Sequence, residues 1–272
     1  MMRDRMIANS KDGTMKSSER EGGVEGAPRY TAGRIAPVGE ARHPMSQPEP
    51  LLPPDIRRIS ASIEVRDYTA DGVNEAIAQR YWPCVDDLAA RGAQHITLAG
   101  FPIASQLGRA RLLALIDETA KRTGVVADAQ AEAAVAALKH VGARRIAVAS
   151  RWSKQLNAAL TEYLGHAGIE VLAMTGVGQW AQQAFSMSIE EGVKLAFQLS
   201  RQAMREAPRA DALLLPGGAW RSLAAVPILE EDFGVPVVTN PIAEVWRFIA
   251  AGIAPPVQGW GRLLAGESFT AA

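Results

Sequence analysis

A short apolar run that stops at Pro216-Gly217-Gly218 is the feature that most constrains how this chain can fold. Residues 212–215, Ala-Leu-Leu-Leu, have the length and composition of a buried strand. Such a run predicts a parallel strand whose carboxyl end opens onto a ligand crevice. Two adjacent glycines there permit close backbone approach, and their N–H groups can surround an anion. A tight turn without any ligand explains the same residues.

Along the rest of the chain, short apolar runs alternate with segments of helix length. Strands are predicted at 33–38, 56–65, 94–100, 124–128, 144–150, 170–174, 212–215 and 235–239. Helices are predicted at 71–91, 105–122, 128–140, 154–167, 188–206 and 241–251. Asp128 is the predicted cap of the helix that follows it. This order predicts βαβ units, parallel sheets covered by helices, and two similar α/β halves that face each other across a cleft.

The predicted domain organisation divides the chain into a tail and two halves. Residues 1–29 have almost no apolar periodicity, so we expect a disordered N-terminal tail. The first α/β half comprises residues 30–127 plus 241–272, and the second comprises residues 128–240. The Pro-rich loop over residues 39–54 is long enough to act as a lid.

Composition argues against several classes of partner. Lys plus Arg and Asp plus Glu both number 29, and no basic stripe carries interleaved aromatic residues, so we expect no nucleic acid partner. No apolar run has the length of a membrane span, and the first 30 residues lack a signal-peptide core. The single cysteine, Cys84, rules out an intrachain disulfide and suits a reducing compartment. We therefore expect a cytoplasmic protein without a membrane partner.

Seven motifs in order along the chain resemble those of one known family. They are Arg34-Ile35-Ala36-Pro37, Leu98-Ala99-Gly100, residues 145–150, residues 174–177, residues 213–218, residues 234–238 and residues 259–263. Over residues 30–268 the chain resembles the arylmalonate decarboxylase and maleate cis-trans isomerase family of the aspartate/glutamate racemase superfamily. The resemblance implies two pseudo-symmetric Rossmann-like halves, each a four-stranded parallel sheet flanked by helices. It also implies an active site in the interdomain cleft and no metal or organic cofactor.

The positions that this resemblance assigns to chemistry carry unusual residues. In the superfamily, a thiol at a strand exit moves a proton at the carbon next to a carboxylate. The matching positions here are Gly100 and Gly217. The positions that hold the departing carboxylate in the decarboxylases are Phe101, Pro102 and Trp152, which offer fewer hydrogen-bond donors than hydroxyl side chains. The resemblance therefore implies an altered mechanism and leaves the catalytic residue unknown.

We expect the cleft to bind a small carboxylate or an aromatic acid. The predicted binding residues are Pro37, Gly100, Phe101, Pro102, Arg151, Trp152, Gly217, Gly218 and Arg221, with Trp180 and Trp220 as further candidates. Arg151 and Arg221 follow strand ends, where each can hold a carboxylate with a bidentate fork. A solvated arginine at a helix start explains these two residues equally well.

Other polar residues have weaker functional interpretations. His43, in the Pro-rich loop, can act as an acid or base over the cleft, but a surface histidine is the simpler interpretation. Asn240 can contact a ligand or simply form a turn before a helix. Cys84 is expected to be a small buried residue on a helix behind the sheet rather than a nucleophile. Glu64 and Asp67 belong to the cleft rim or to a solvated loop. No pair of histidines has metal-ligand spacing, so no metal is predicted.

Three functions are compatible with these patterns. The first is an arylmalonate-decarboxylase-like, cofactor-independent lyase or isomerase that acts on a small carboxylic acid without the family thiol. The second is a catalytically inactive module that binds a small carboxylate in the same cleft. The third is an enzyme of another reaction type that uses His43, Arg151 or Arg221.

Overall fold

Two four-stranded parallel sheets form the framework of the molecule. The computed structural model describes residues 27–39, 51–180, 183 and 186–268. The first sheet has the order β2-β1-β3-β4, with β1 Tyr30–Ala36, β2 Ile56–Ser62, β3 His95–Leu98 and β4 Val126–Ala129. The second has the order β6-β5-β7-β8, with β5 Arg145–Val148, β6 Glu170–Met174, β7 Ala212–Leu215 and β8 Val237–Thr239. The equivalent strand order in the two sheets confirms the predicted α/β fold with two pseudo-symmetric halves.

Helices connect the strands and cover the sheets. They are α1 Ala70–Ala90, α2 Phe101–Leu107, α3 Arg109–Thr123, α4 Gln130–His140, α5 Lys154–His166, α6 Ile189–Glu206, α7 Val226–Phe233, α8 Asn240–Ala250 and α9 Arg262–Ala265. The capping box that starts α6 shows how local sequence sets a boundary. The Ser188 side chain accepts from the Glu191 N–H, and the Glu191 carboxylate accepts from the Ser188 N–H.

Three local predictions are wrong. The helix predicted at 105–122 is two helices, because Gly108 has φ 76° and separates α2 from α3. Asp128 does not cap α4, because its carboxylate instead accepts from Arg247 Nε at 2.6 Å. Helices α7 and α9 were not predicted, since each is short and has little apolar periodicity to detect.

The central strands are buried on both faces. All four residues of β3 and all four residues of β7 are buried, as expected for parallel strands covered by helices. Each strand lies in the middle of its sheet, with β3 between β1 and β4 and β7 between β5 and β8. The carboxyl ends of β3 and β7 therefore occupy equivalent positions in the two halves.

Two helix pairs join the halves. Helix α2 contacts α5, and α4 contacts α8. The pair α4 and α8 is reinforced by the ion pair between Asp128 and Arg247, which links the end of β4 to α8. Strand β4 belongs to the first sheet, and the division of the chain at residue 128 stays a prediction.

Part of the predicted organisation lies outside the described residues. This applies to residues 1–26 of the predicted tail and to residues 40–50 of the Pro-rich loop, which include His43. In the described segments, no helix combines the length and apolarity needed to cross a membrane.

Candidate functional site

The exits of four central strands meet at one cavity between the two sheets. It contains about 440 Å³ of unoccupied space, part of which is open to solvent. Strand β1 leads to Pro37, β3 to Gly100, β5 to Arg151 and β7 to Gly217. The residues that line the cavity are Arg34, Pro37, Tyr68, Gly100, Phe101, Pro102, Gln130, Arg151, Trp152, Gly217, Gly218 and Ala219. Its place at the carboxyl ends of parallel strands is the usual ligand position in α/β folds.

Every predicted binding residue except Arg221 lines this cavity. Arg221 lies beyond the point where the chain turns away, with its backbone carbonyl and Cβ against Gly192 of α6. Trp220 is fully buried and donates from Nε1 to the Gly192 carbonyl at 2.9 Å, so it anchors α6. Trp180 is also outside the lining. The prediction that Arg221, Trp180 and Trp220 reach the cleft is therefore wrong.

Two glycines with positive φ bring their strand exits close to the residues that follow the neighbouring strands. Gly100 has φ 101° and Gly217 has φ 115°, a region that other residues rarely adopt. A Cβ on Gly217 would lie 3.3 Å from Trp152 Cζ2, and one on Gly100 would lie 3.2 Å from Pro37 Cγ. The shape of the cavity thus depends on the absence of side chains at these two positions.

The N–H groups of these glycines are held by two side-chain amides rather than left open. Gly100 N–H donates to Gln130 Oε1 at 2.9 Å, and Gly217 N–H donates to Asn240 Oδ1 at 3.1 Å. Asn240 Nδ2 in turn approaches Gln130 Oε1 at 3.5 Å. We call Gln130 and Asn240, the first residues of α4 and α8, the amide link. Because of this link, the predicted anion cradle at the Gly217 N–H is wrong, and Asn240 holds the backbone rather than facing a ligand.

Positive charge enters the cavity from both halves. Arg151, after β5, is 1% exposed, and its Nη2 lies 3.8 Å from the point that a Cβ on Gly217 would occupy. Arg34, on β1, brings its Nη2 to 3.9 Å from the Cβ position of Gly218. Burial lowers the pKa of Arg151 to about 10, and the neighbouring Tyr68 phenol opposes this shift. The Arg151 guanidinium is therefore charged at neutral pH.

The remaining walls are apolar or aromatic. Pro37, Phe101, Pro102 and Trp152 provide the apolar surface, and none of the described lining residues is acidic. Two arginines beside an apolar wall suit a small anion that carries an apolar part.

Two further polar groups face this space without a protein partner among the described residues. Trp152 Nε1 is buried and has no hydrogen-bond acceptor in that part of the chain. Trp152 presents its Cζ2 and Cε2 edge toward Gly217, and Nε1 is bonded to Cε2. Tyr68 is 3% exposed, and only its carbonyl, which accepts from Gln106, has a hydrogen bond within the described segments. Burial raises the pKa of Tyr68, while Arg151 acts in the opposite direction. The phenol therefore stays protonated at neutral pH.

The only cysteine of the chain lies elsewhere. Cys84 is buried on α1, where its thiol donates to the Ser62 carbonyl at 3.3 Å. Burial raises the pKa of this thiol, so it remains protonated and unreactive. Glu64 and Asp67 also lie outside the cavity lining. In the described segments there is no group of three or more His, Cys, Asp and Glu side chains able to hold a metal ion.

Sequence reasoning missed four lining residues, Arg34, Tyr68, Gln130 and Ala219. Arg34 gave the clearest signal, because a charged residue inside an otherwise small and apolar strand needs a polar environment. Tyr68 lies in the connection between β2 and α1, and no local pattern indicates where its ring packs.

Comparison with known proteins agrees with this geometry. A model of the arylmalonate decarboxylase family matches residues 33–264. The chain belongs to this family. The arylmalonate decarboxylase of Bordetella bronchiseptica is 27% identical over 219 residues, which cover 78% of this chain and 88% of that protein. A crystal structure of arylmalonate decarboxylase superposes with a TM-score of 0.73 at 25% identity, covering 87% of this chain and 100% of the other.

Solved maleate isomerases share the fold of this decarboxylase family member. The maleate isomerase of Pseudomonas putida, solved with maleate, has a TM-score of 0.71 at 19% identity, covering 89% of this chain and 99% of the other. At that identity the likeness concerns the fold alone.

Proposed function

We propose that this chain is a cofactor-independent lyase or isomerase that acts on a small carboxylic acid bound in the cavity between the two sheets. The observation that carries the proposal is the pair Arg34 and Arg151, which reach the cavity from the two sheets beside an apolar wall with no acidic residue among its described members. Family membership supports the reaction class. The relatives' own activities supply the substrate class, a malonate-type or maleate-type acid.

The cavity residues suit the loss of carbon dioxide from a malonate-type diacid. Arg151 and Arg34 bind the carboxylates, and the aromatic wall holds the organic substituent away from water. When the carbon–carbon bond breaks, its electron pair stays on the α-carbon and spreads into the remaining carboxylate. The guanidinium groups stabilise the resulting enediolate because they are fixed where that negative charge develops. A proton added to the α-carbon completes the product.

The mechanism differs from that of a thiol enzyme. We place the family's cysteine positions at Gly100 and Gly217, which line the cavity without side chains. Cys84 is the only cysteine in the chain and lies outside the lining, so no thiol can supply the proton there. Another group must take that role.

The arginine pair, together with the absence of a thiol from the cavity, favours a second candidate function. A cavity that keeps its anion-binding arginines but contains no thiol also suits a catalytically inactive module that binds a small carboxylate. The two functions share the ligand class and differ only in turnover.

One experiment separates them. The purified protein is incubated with phenylmalonate-type diacids, release of carbon dioxide is followed, and phenylacetate-type monoacids are tested by thermal shift. The lyase gives turnover above a buffer control, and a ligand of the native state raises the melting temperature. Thermal shifts without turnover, in protein with native circular dichroism, support the binding module. No turnover and no shift with any carboxylate would contradict both.

A further inference from the structure

We propose that the hydroxyl of Tyr68 is the proton donor of this cavity, and that Arg151 positions and balances it. This inference rests on the proposed lyase function and names the residue that replaces the thiol. Three observations carry it: the place of Tyr68 in the lining, the lack of a hydrogen-bond partner for its hydroxyl among the described residues, and the buried guanidinium beside it.

Tyr68 has the chemistry that the reaction requires. A general acid must carry its proton at working pH and must lie where the substrate can reach it. Burial raises the pKa of Tyr68, so the phenol is protonated at neutral pH. With no partner among the residues that the structure describes, the hydroxyl is available to a bound molecule.

Arg151 supports this role from the same cavity. The guanidinium is 1% exposed and interacts electrostatically with the phenol. When Tyr68 gives up its proton, the positive charge of Arg151 offsets part of the cost of forming a tyrosinate in a buried site. Proton loss from Arg151 itself would instead remove the charge that holds the carboxylate.

The other polar groups of the cavity are poorer donors. The indole N–H of Trp152 donates hydrogen bonds but does not release its proton. Gln130 is engaged on both sides, since its Oε1 accepts from Gly100 N–H and its Nε2 donates to Glu244 Oε2 at 2.5 Å. Among the lining side chains, the Tyr68 phenol is thus the remaining neutral acid.

The proton and electron balance of the step is complete. The bond between the α-carbon and the leaving carboxylate breaks, carbon dioxide departs, and the electron pair remains on the enediolate. The α-carbon then forms a bond to the Tyr68 proton, which leaves a tyrosinate. Water returns a proton to Tyr68 and becomes hydroxide, so one diacid dianion and one water give one monoacid anion, carbon dioxide and hydroxide.

The first test is Tyr68→Phe, which removes only the hydroxyl. With a phenylmalonate-type diacid we expect kcat to fall at least about 100-fold, the range of general acid catalysis, while KM changes little. The matched control is Tyr81→Phe, because Tyr81 is an equally buried phenol whose hydroxyl bonds Thr119 away from the cavity. The control variant should keep the wild-type kcat.

A second measurement covers the case in which Tyr68→Phe does not fold. Replacing the four tyrosines with 3-fluorotyrosine keeps every hydroxyl and lowers the phenol pKa. If Tyr68 is the acid, the more acidic phenol changes kcat at neutral pH. Arg151 and Arg34 are the charged groups that line the cavity with Tyr68. The Arg151 guanidinium, with a pKa of about 10, loses its proton before the Tyr68 phenol does, so kcat is compared near neutral pH rather than on the alkaline limb.

The outcomes are distinguishable. Wild-type turnover that survives in Tyr68→Phe, or a neutral-pH kcat that fluorination leaves unchanged, overturns the role of Tyr68 and leaves the lyase function standing. A wild-type protein that binds carboxylates without turnover overturns the lyase function and the proton donor together, and leaves the binding module.

Discussion

At the scale of single residues, the cavity depends on the absence of a side chain at Gly217 and on the guanidinium group of Arg151. Gly217 opens space at the end of β7, and the guanidinium of Arg151 lies 3.8 Å from the Cβ position of that glycine. A charged arginine that is 1% exposed is costly unless something balances its charge. Arg151 Nη1 donates to Gln179 Oε1 at 3.3 Å, and a bound carboxylate would add a partner of opposite charge.

The pH dependence of binding tests this idea. Burial lowers the pKa of Arg151 to about 10, so the guanidinium loses its proton as pH rises through that value. We therefore expect the affinity for phenylacetate-type anions to be constant below about pH 9 and to fall as pH passes 10. Isothermal titration calorimetry across this range measures the effect.

Substitution of the same arginine gives a matched comparison. Arg151→Met should weaken carboxylate binding about 10- to 100-fold at neutral pH, because a charge-assisted hydrogen bond contributes about 1.5–3 kcal/mol. Arg221→Met is the control, since this arginine lies outside the lining, and its Kd should match the wild type. Equal losses in both variants would mean that the anion binds elsewhere.

At the scale of elements, Gly108 decides the path of the chain after β3. It has φ 76° and ends α2 so that α3 can take a new direction. Nothing lies within 4 Å of the position that a Cβ would occupy, so the constraint there is purely one of backbone conformation. The seven-residue α2 then contributes Phe101 and Pro102 to the cavity lining.

Two glycine substitutions should shift stability in opposite directions. Gly108→Ala should lower the free energy of unfolding by about 1–2 kcal/mol, because alanine is strained at positive φ. Gly165→Ala should raise it by up to about 1 kcal/mol, since Gly165 lies inside α5 with open space around it. Urea denaturation followed by circular dichroism measures both. A stabilising Gly108→Ala would contradict the assigned break between α2 and α3.

At the scale of the whole molecule, the two halves are tied together directly behind the site. The amide link of Gln130 and Asn240 holds one strand exit from each sheet. Gln130 also donates to Glu244 on α8, so it contacts α8 twice. The relative placement of the strand exits thus depends on these buried amides.

Removal of the amide link should affect the fold and the site at once. Gln130→Leu leaves the Gly100 N–H and the Glu244 carboxylate without this partner, which should cost about 1–3 kcal/mol of unfolding free energy. Carboxylate binding should weaken in the same variant. Gln202→Leu is the control, because Gln202 is exposed on α6 and bonds only Glu206. Unchanged stability in Gln130→Leu would show that the link does not hold the halves.

Much of this architecture was predictable because it depends on local periodicity. The strands β6 and β7 and the helices α5 and α6 appear within one residue of their predicted bounds, since apolar spacing and capping residues such as Ser188 act over a few positions. The break at Gly108 was missed because an isolated glycine in a helical pattern is compatible with a continuous helix.

The site was predictable only where residues directly follow strand ends. Gly100, Trp152 and Gly217 meet because parallel strands share one carboxyl edge, so their order in the sequence was enough to place them together. Tyr68 and Gln130 line the same cavity for another reason. They lie in a loop and at a helix start, and the direction of each side chain is set by packing between segments far apart in the chain.

The sequence by itself determined the α/β class, the strand-exit glycines, and the absence of a second cysteine. The tertiary structure decided which polar groups face the cavity. In that structure Arg221 lies outside the cavity lining, the Gly217 N–H donates to Asn240, and Arg34 and Tyr68 line the cavity. The physical reason is that backbone periodicity is a local property, whereas the partner of a buried polar group is chosen by close packing across the whole fold.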